Sequence, residues 1–316
     1  ATGVASLNLV RLLVARAAGR DEKSTPLNWQ QRVLELTRSL PYNPTTEMDL
    51  YLWTIARAIR QDERARLEVE NHSVSVLAEM YRNGTLSPLA ASLMTEFLVR
   101  YGRRGLGEID AGRPRWNEDP APLFDLLKTF LKMEDDDAAP DRAYVQGQMI
   151  AETAINTLCE TVRHTRRGWF SAFLVRSLAL RLRAWMGMRE YPKFFLVRTF
   201  GAFREVLLQV GDQFCRNGYL QHADDLIFLK LPELRQLADN PHNPTWQELI
   251  GQRRAAYEYE MHRRQIPRVL LSDGRAFYAG IASDGKEANI LWGSPVSAGV
   301  VEGPVRVVTD PRLRQA

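Results

Sequence analysis

The chain has 316 residues, of which 45% are hydrophobic and 25% charged, with 20 Gly and 16 Pro. These are the values of one large or two ordinary soluble domains, and they exclude disordered, collagenous and coiled-coil classes. The balance of 42 basic and 38 acidic residues leaves a net charge of +4, too small an excess to argue for a nucleic-acid partner. Two cysteines, Cys159 and Cys215, exclude a disulfide framework and fit a reducing, cytoplasmic setting. No apolar run reaches the ~18 residues of a bilayer span, so no membrane partner is expected. The sequence has no initiator Met or signal peptide and stops inside a strand-like pattern. It reads as a piece of something longer.

Most of the chain has helical periodicity. Leu7, Leu9, Val10, Leu13 and Val14 predict a helix over 5–17. After a break from Gly19 to Pro26, a second helix is predicted over 28–40, ending before Pro41. Thr45 or Thr46 is expected to cap one long helical stretch from Glu47 to Tyr81, which Asn83-Gly84 ends. Ser87-Pro88 opens a helix to Tyr101. Residues 102–119 are rich in Gly, Arg and Pro and predict a structured loop, followed by helix over 121–132. The acidic run Glu134–Asp137 is expected to be a solvated loop. From Asp141 to Asn217 the pattern is helical, with breaks near Gly168 and Pro192. Leu231-Pro232 and Asn243-Pro244 each start a further helix, the last running to Arg264.

The period changes at Pro267. Val269–Leu271 and Arg275–Tyr278 flank Asp273-Gly274, a two-residue hairpin signal. Val300-Val301 and Val305–Val308 flank Glu302-Gly303-Pro304 as a second strand–turn–strand. The expected fold is mainly α, a large irregular helical bundle followed by a short β-containing C-terminal segment. No repeated unit suggests a solenoid.

Catalytic motifs are scarce. There is no phosphate loop, dinucleotide fingerprint, nucleophile elbow or HExxH. None of the histidines (His72, His164, His222, His242, His262) stands at zinc spacing, so no metal is expected. Three segments stand out instead. Tyr101 to Trp116 holds Arg103, Arg104, Arg113 and Arg115 among four glycines, with Glu108 and Asp110. Arginine forks and pliable backbone suit an anion-binding loop. The same residues suit a helix-linking loop whose arginines pair with its own acids or with helix C-termini. Residues 160–206 hold ten basic side chains against three acidic ones, among them Arg189 and Lys193 four apart. They form a phosphate-attracting patch if they share a face, and solvated faces otherwise. Pro192 between the two argues for a kink or a new helix start. Asp224-Asp225, before the apolar run Leu226–Leu229, either binds a cation or caps a turn. Met48, Trp53, Met80 and Met94 are expected in the core, although such residues also line pockets for bulky apolar ligands.

Together these segments resemble the central helical region of phosphoenolpyruvate-utilising phosphotransferases, a family including phosphoenolpyruvate synthase-like proteins and rifampicin phosphotransferases. The resemblance rests on Asn43–Leu50, the Tyr101–Trp116 loop, Arg189–Phe194, Gly218–Leu220 with Asp224–Leu229, and Gly293–Val305. It covers nearly the whole chain in order. The last segment is similar to the opening of a swivelling phosphohistidine domain. The resemblance implies a helical acceptor-binding domain over 1–266, a β-hairpin connector over 267–287 and a truncated swivelling domain over 288–316.

Such proteins carry phosphate from ATP to a histidine and then to an acceptor. The resemblance therefore implies ATP and Mg for the parent protein, none in this segment, and as partners the ATP-grasp and phosphohistidine domains of the same parent. The expected acceptor is a bulky apolar small molecule. The segment is expected to be inactive alone, since it lacks the ATP-grasp domain and the phosphohistidine motif. Arg189 and Lys193 are the first candidates for neutralising the transferring phosphoryl group. Arg103, Arg104, Arg113, Arg115, Glu108 and Asp110 are candidates for binding substrate or phosphate. The alternative is a non-catalytic scaffold that joins the two other domains.

Overall fold

A computed structural model describes residues 2–18, 29–133, 139–164, 167–262, 266–267 and 269–277. In chain order the helices are α1 (Thr2–Ala18), α2 (Trp29–Glu35), α3 (Pro44–Gln61), α4 (Glu63–Asn71), α5 (Val74–Arg82), α6 (Pro88–Tyr101), α7 (Ala121–Lys132), α8 (Pro140–Arg163), α9 (Gly168–Met188) and α10 (Tyr191–Arg216). A 3-10 helix follows at Ala223–Phe228, then α11 (Leu231–Asp239) and α12 (Thr245–Met261). The only strands among the described residues are β1 (Val269–Leu270) and β2 (Ala276–Phe277). The mainly α class expected from the sequence is therefore observed. No helix among the described residues is long and apolar enough to cross a membrane. The Gly19–Pro26 break, the acidic run Glu134–Asp137 and the strands predicted over 300–308 lie outside the described residues.

The chain divides into two compact units, Ala1–Asn243 and Pro244–Ala316. In the second, β1 and β2 pair antiparallel with Val269 opposite Phe277. The connection is a three-residue loop, Ser272–Gly274, rather than the predicted two-residue turn: the Leu271 amide donates to the Arg275 carbonyl (2.9 Å), the Gly274 amide donates to the Leu271 carbonyl (3.0 Å), and Gly274 closes the loop in the left-handed conformation (φ 85°).

In the first unit, the single long helix expected over Glu47–Tyr81 is three helices. Asp62 leaves the helical conformation to close α3, and its side chain accepts from the Ala65 amide to start α4. His72 and Ser73 are both extended, and the Ser73 hydroxyl accepts from Val76 at the start of α5. Short polar side chains compete with the helix ladder for backbone donors, so periodicity alone runs across such breaks. The cap of α3 is Asn43, not Thr45 or Thr46: its Oδ1 accepts from both of their amides, with Pro44 as first helical residue.

Two apolar cores result. One joins α3 to α7 and centres on Leu52, Ile55, Phe97, Phe124 and Leu127; Met48 and Met94 are buried in it, with Met80 against its edge. The other joins α1, α2, α8 and α9 through Val10, Val33, Ile155, Val175 and Leu182. Buried Trp53 lines the α3–α8 contact and donates its indole N–H to Asp141 at 2.9 Å.

The turn after α2 is pressed between α8 and α9. Ser39 and Tyr42 adopt positive φ there. Gly147 of α8 and Gly187 of α9 leave the space, since a Cβ on either would collide with Ser39 or with the Pro41 carbonyl. Buried Arg183 donates to the carbonyls of Leu36, Arg38 and Ser39 at 2.7, 2.8 and 2.9 Å. These include carbonyls that the end of a helix leaves without backbone donors. Arg183→Ala is expected to destabilise the protein by about 3 kcal/mol, because three buried acceptors lose a charged donor. The change appears as a lower urea midpoint, whereas Arg181→Ala, on the exposed side of the same helix, leaves the midpoint unchanged.

Candidate functional site

The loop after α6 is held as a folded hairpin-like excursion. Its outgoing and returning limbs pair through Trp116 N–H to the Arg104 carbonyl (2.8 Å) and Asn117 N–H to the Gly102 carbonyl (2.9 Å). Gly105 permits the approach, since a Cβ there would sit 2.6 Å from the Pro114 oxygen. Gly107 turns the chain with φ 66°. Arg115 fills the interior. It is 2% exposed and donates to the carbonyls of Glu108 (2.9 Å) and Asp110 (3.2 Å). Burial, with Arg204 nearby, pulls its pKa below the usual arginine value. The Asp110 carboxylate accepts from the Gly112 amide at 2.7 Å, which shapes the tip.

Helix α10 seats this loop. At Gly201 an added Cβ would lie 2.7 Å from Arg103 Cβ, so glycine sets the distance between helix and loop. Arg103 then forms a two-pronged bond to Glu205 at 3.0 and 2.9 Å. Hydrogen bonding from Arg103 holds the Glu205 carboxyl below its usual pKa. Arg204, one residue earlier, grips Glu118 with both prongs at 2.7 Å and also donates to the carbonyls of Ala111 and Gly112. It is the main clamp between α10 and the returning limb.

Arg104 and Glu108 form the buried centre. Arg104 binds Glu108 through Nε (3.0 Å) and Nη2 (3.1 Å), and its Nη1 reaches Thr45 Oγ1 and Met48 Sδ on α3. Lys193, on the first turn of α10, brings its ammonium to 3.3 Å from Glu108 Oε1. Burial pushes the Glu108 carboxyl up, but hydrogen bonding and charge from Arg104 and Lys193 together outweigh it, and the group sits below its usual value.

The sequence-predicted residues thus fall into three groups. Arg104, Arg115 and Glu108 are buried, and together with the less buried Arg103 and Asp110 they are engaged by the protein's own acids, carbonyls or amides. Arg113 is half-buried over Gly107, with no side-chain bond among the described residues. Arg189 and Lys193 are the outward pair, with side chains 70% and 52% exposed. They lie on either side of the turn between α9 and α10, and Arg189 pairs with Glu190 at 2.7 Å. Trp185 and Met188 precede them on α9, and Phe195 and Leu196 follow on α10, all four exposed. Phe194 packs inward on Tyr101 and Tyr191. Trp185 lies one turn before Arg189 on α9 and Leu196 one turn after Lys193 on α10, on the faces of the two cations, whereas Phe195 stacks on Tyr191.

Sequence reasoning missed Arg204, Glu205 and Glu118 as partners of the loop. The available signal was the spacing Gly201-Arg204-Glu205, a close-approach residue followed within one turn by a cation and an acid. Asp225 is buried and accepts from the amides of Gln221 and His222, the capping alternative for that pair. No cluster able to hold a metal occurs among the described residues.

Residues 1–190 match the family described as the rifampicin phosphotransferase fourth domain. A rifampicin phosphotransferase of Streptomyces sviceus is 30% identical over 289 aligned residues, and one of Bacillus cereus 28% over 279. Each alignment covers 87% of this chain and 31% of the relative. The prodigiosin synthesizing transferase PigC of Serratia marcescens is 21% identical over 277 residues, covering 84% of this chain and 29% of that protein. The chain spans about a third of the length of the curated relatives it matches.

Two outcomes test the loop's construction. Arg204→Met keeps the stem but removes the clamp; a cost of about 3 kcal/mol is expected, as for breaking one partner of a buried pair. Trypsin should then cut faster within 102–119, and an unchanged rate would mean the loop is held without Arg204. Glu108 also makes stability depend on pH. Its folded pKa lies below the ordinary 4.5, so its contribution is complete above that value and is lost as pH falls through the lower folded pKa. The melting temperature of Glu108→Gln should lie below wild type at pH 7, with the gap closing as the pH drops below 4.5.

Proposed function

Because this chain belongs to the rifampicin phosphotransferase fourth-domain family, we propose that it is the acceptor-binding helical domain of an ATP-dependent, phosphohistidine-relay phosphotransferase. In this reading the chain does not turn over by itself. ATP and Mg are handled by an ATP-grasp domain, and the phosphoryl group arrives on the histidine of a swivelling domain whose opening is residues 288–316. The acceptor is a bulky, largely apolar molecule carrying a hydroxyl.

One observation carries the reading: the exposed cations Arg189 and Lys193 at one helix turn, with the exposed side chains of Trp185 and Leu196 one helical turn from them on the same faces. Phosphoryl transfer from a histidine to a hydroxyl breaks the P–N bond and forms a P–O bond, and the hydroxyl proton leaves. Negative charge is spread over the non-bridging oxygens throughout. Fixed cations next to that group stabilise the transition state without reorganisation. Apolar side chains beside them bind the acceptor and exclude water.

A scaffold that binds no small molecule is the second reading. It is favoured by the internal engagement of Arg103, Arg104 and Arg115, which leaves the loop architectural. The two readings part on the outward pair. In the assembled protein, Arg189→Ala and Lys193→Ala are each expected to slow transfer at least about tenfold, since a lost charge-stabilising donor has that order of effect. Both residues are exposed, so melting temperatures should hold. Tryptophan fluorescence should quench saturably with rifamycins. Unchanged transfer rates together with flat titrations would favour the scaffold.

A further inference from the structure

We propose that Glu108 is a positioning residue for transfer, acting by holding the Lys193 ammonium at the α9–α10 junction; this rests on the role proposed above for Lys193. Lysine is a point charge on a flexible four-carbon stem, and an exposed one samples many rotamers. Lys193 is half-exposed, yet its Nζ lies 3.3 Å from a carboxylate that is itself only 9% exposed. That carboxylate has little freedom. Arg104 binds both of its oxygens, the Gly105 amide points at Oε2, and Arg115 fixes the Glu108 main chain through its carbonyl. Arg104 is anchored in turn by Thr45 and Met48 on α3. A rigid, buried acceptor therefore anchors one side of a solvent-facing donor. An ammonium has three N–H donors, so two remain for phosphoryl oxygens.

Glu108 pairs with both Arg104 and Lys193, while Asp49 also interacts electrostatically with Arg104, so Arg104 has a second acid beside it and does not compete with Lys193 for Glu108 alone. Arg189 lacks such an anchor: its partner Glu190 is its chain neighbour on the surface of the same turn. The two cations thus differ, one placed by the protein interior and the other free to follow the acceptor.

The test uses the assembled phosphotransferase with Mg·ATP and rifampicin as acceptor. Glu108→Gln should lower kcat about tenfold, the scale of loss expected from a displaced catalytic group, with KM for rifampicin changed less than twofold. Placed on Lys193→Met, the same substitution should cause no further loss. Glu108→Asp keeps the charge that Arg104 requires but withdraws the oxygen from the ammonium. It guards against misfolding of Glu108→Gln and should give a smaller loss of kcat together with a smaller fall in melting temperature than Glu108→Gln. Equal losses with and without Lys193 would make Glu108 merely structural and overturn the inference, as would wild-type kcat in both Glu108 variants. Wild-type kcat in Lys193→Met would instead overturn the role proposed for Lys193, and no turnover of rifampicin by the wild type would remove the acceptor reading and this inference with it.

Discussion

A guanidinium taken out of water must be met by enough oxygen to replace its hydration, and this requirement organises the first unit. Arg104, Arg115, Arg183 and Arg204 are all buried. None is met by a single acid alone. Arg183 takes three carbonyls and Arg204 a carboxylate and two carbonyls, while Arg115 takes two carbonyls and leaves its Nε without a partner among the described residues. Arg104 takes a carboxylate, a hydroxyl and a thioether. Removing one partner from such a set strands a charge in a poor solvent. Each set therefore fixes where a non-helical segment lies, because the segment's own backbone supplies part of the solvation.

That principle explains how an irregular loop can be as firmly placed as a helix. Residues 102–119 have no regular ladder to consume their carbonyls, so those of Glu108, Asp110, Ala111 and Gly112 turn to arginines. Glycine supplies the other half of the arrangement. Gly201 removes side-chain bulk where α10 meets the outgoing limb at Arg103, and Gly105 does so where the two limbs approach each other at Pro114. The same pairing recurs at the turn after α2, where Arg183 collects the carbonyls while Gly147 and Gly187 make room. In both places, a buried cation and a missing Cβ lock loop to helix.

The consequence for function is a division of labour among the basic residues. Arg103, Arg104 and Arg115 of the loop are spent on structure, and the loop's acid Glu108 reaches out to Lys193. Among the candidate cations, Arg189 and Lys193 at the α9–α10 turn face solvent, with Trp185, Met188, Phe195 and Leu196 exposed on the flanking helix turns. The loop and the junction are one construction, since the position of Lys193 depends on the pairing of Arg104 with Glu108.

The sequence by itself determined the helical class, the break at Gly168, the new start near Pro192, the hairpin at Asp273-Gly274 and the burial of Met48, Trp53 and Met94. These follow from local periodicity and from the backbone limits of Gly and Pro, which act over a few residues. It also singled out Arg104, Glu108, Arg189 and Lys193 by composition and by family resemblance. It did not distinguish their duties. It read one helix where Asp62 and Ser73 divide three, because a capping side chain in mid-chain looks like any exposed polar residue. Only the tertiary structure decided that Arg204 and Glu118, 86 positions apart, are partners, and that Glu108 faces both Arg104 and Lys193. Ion pairs carry no period and no spacing rule. They are set by which surfaces the packing of α3, α10 and the loop brings within about 3 Å, where a charged hydrogen bond forms.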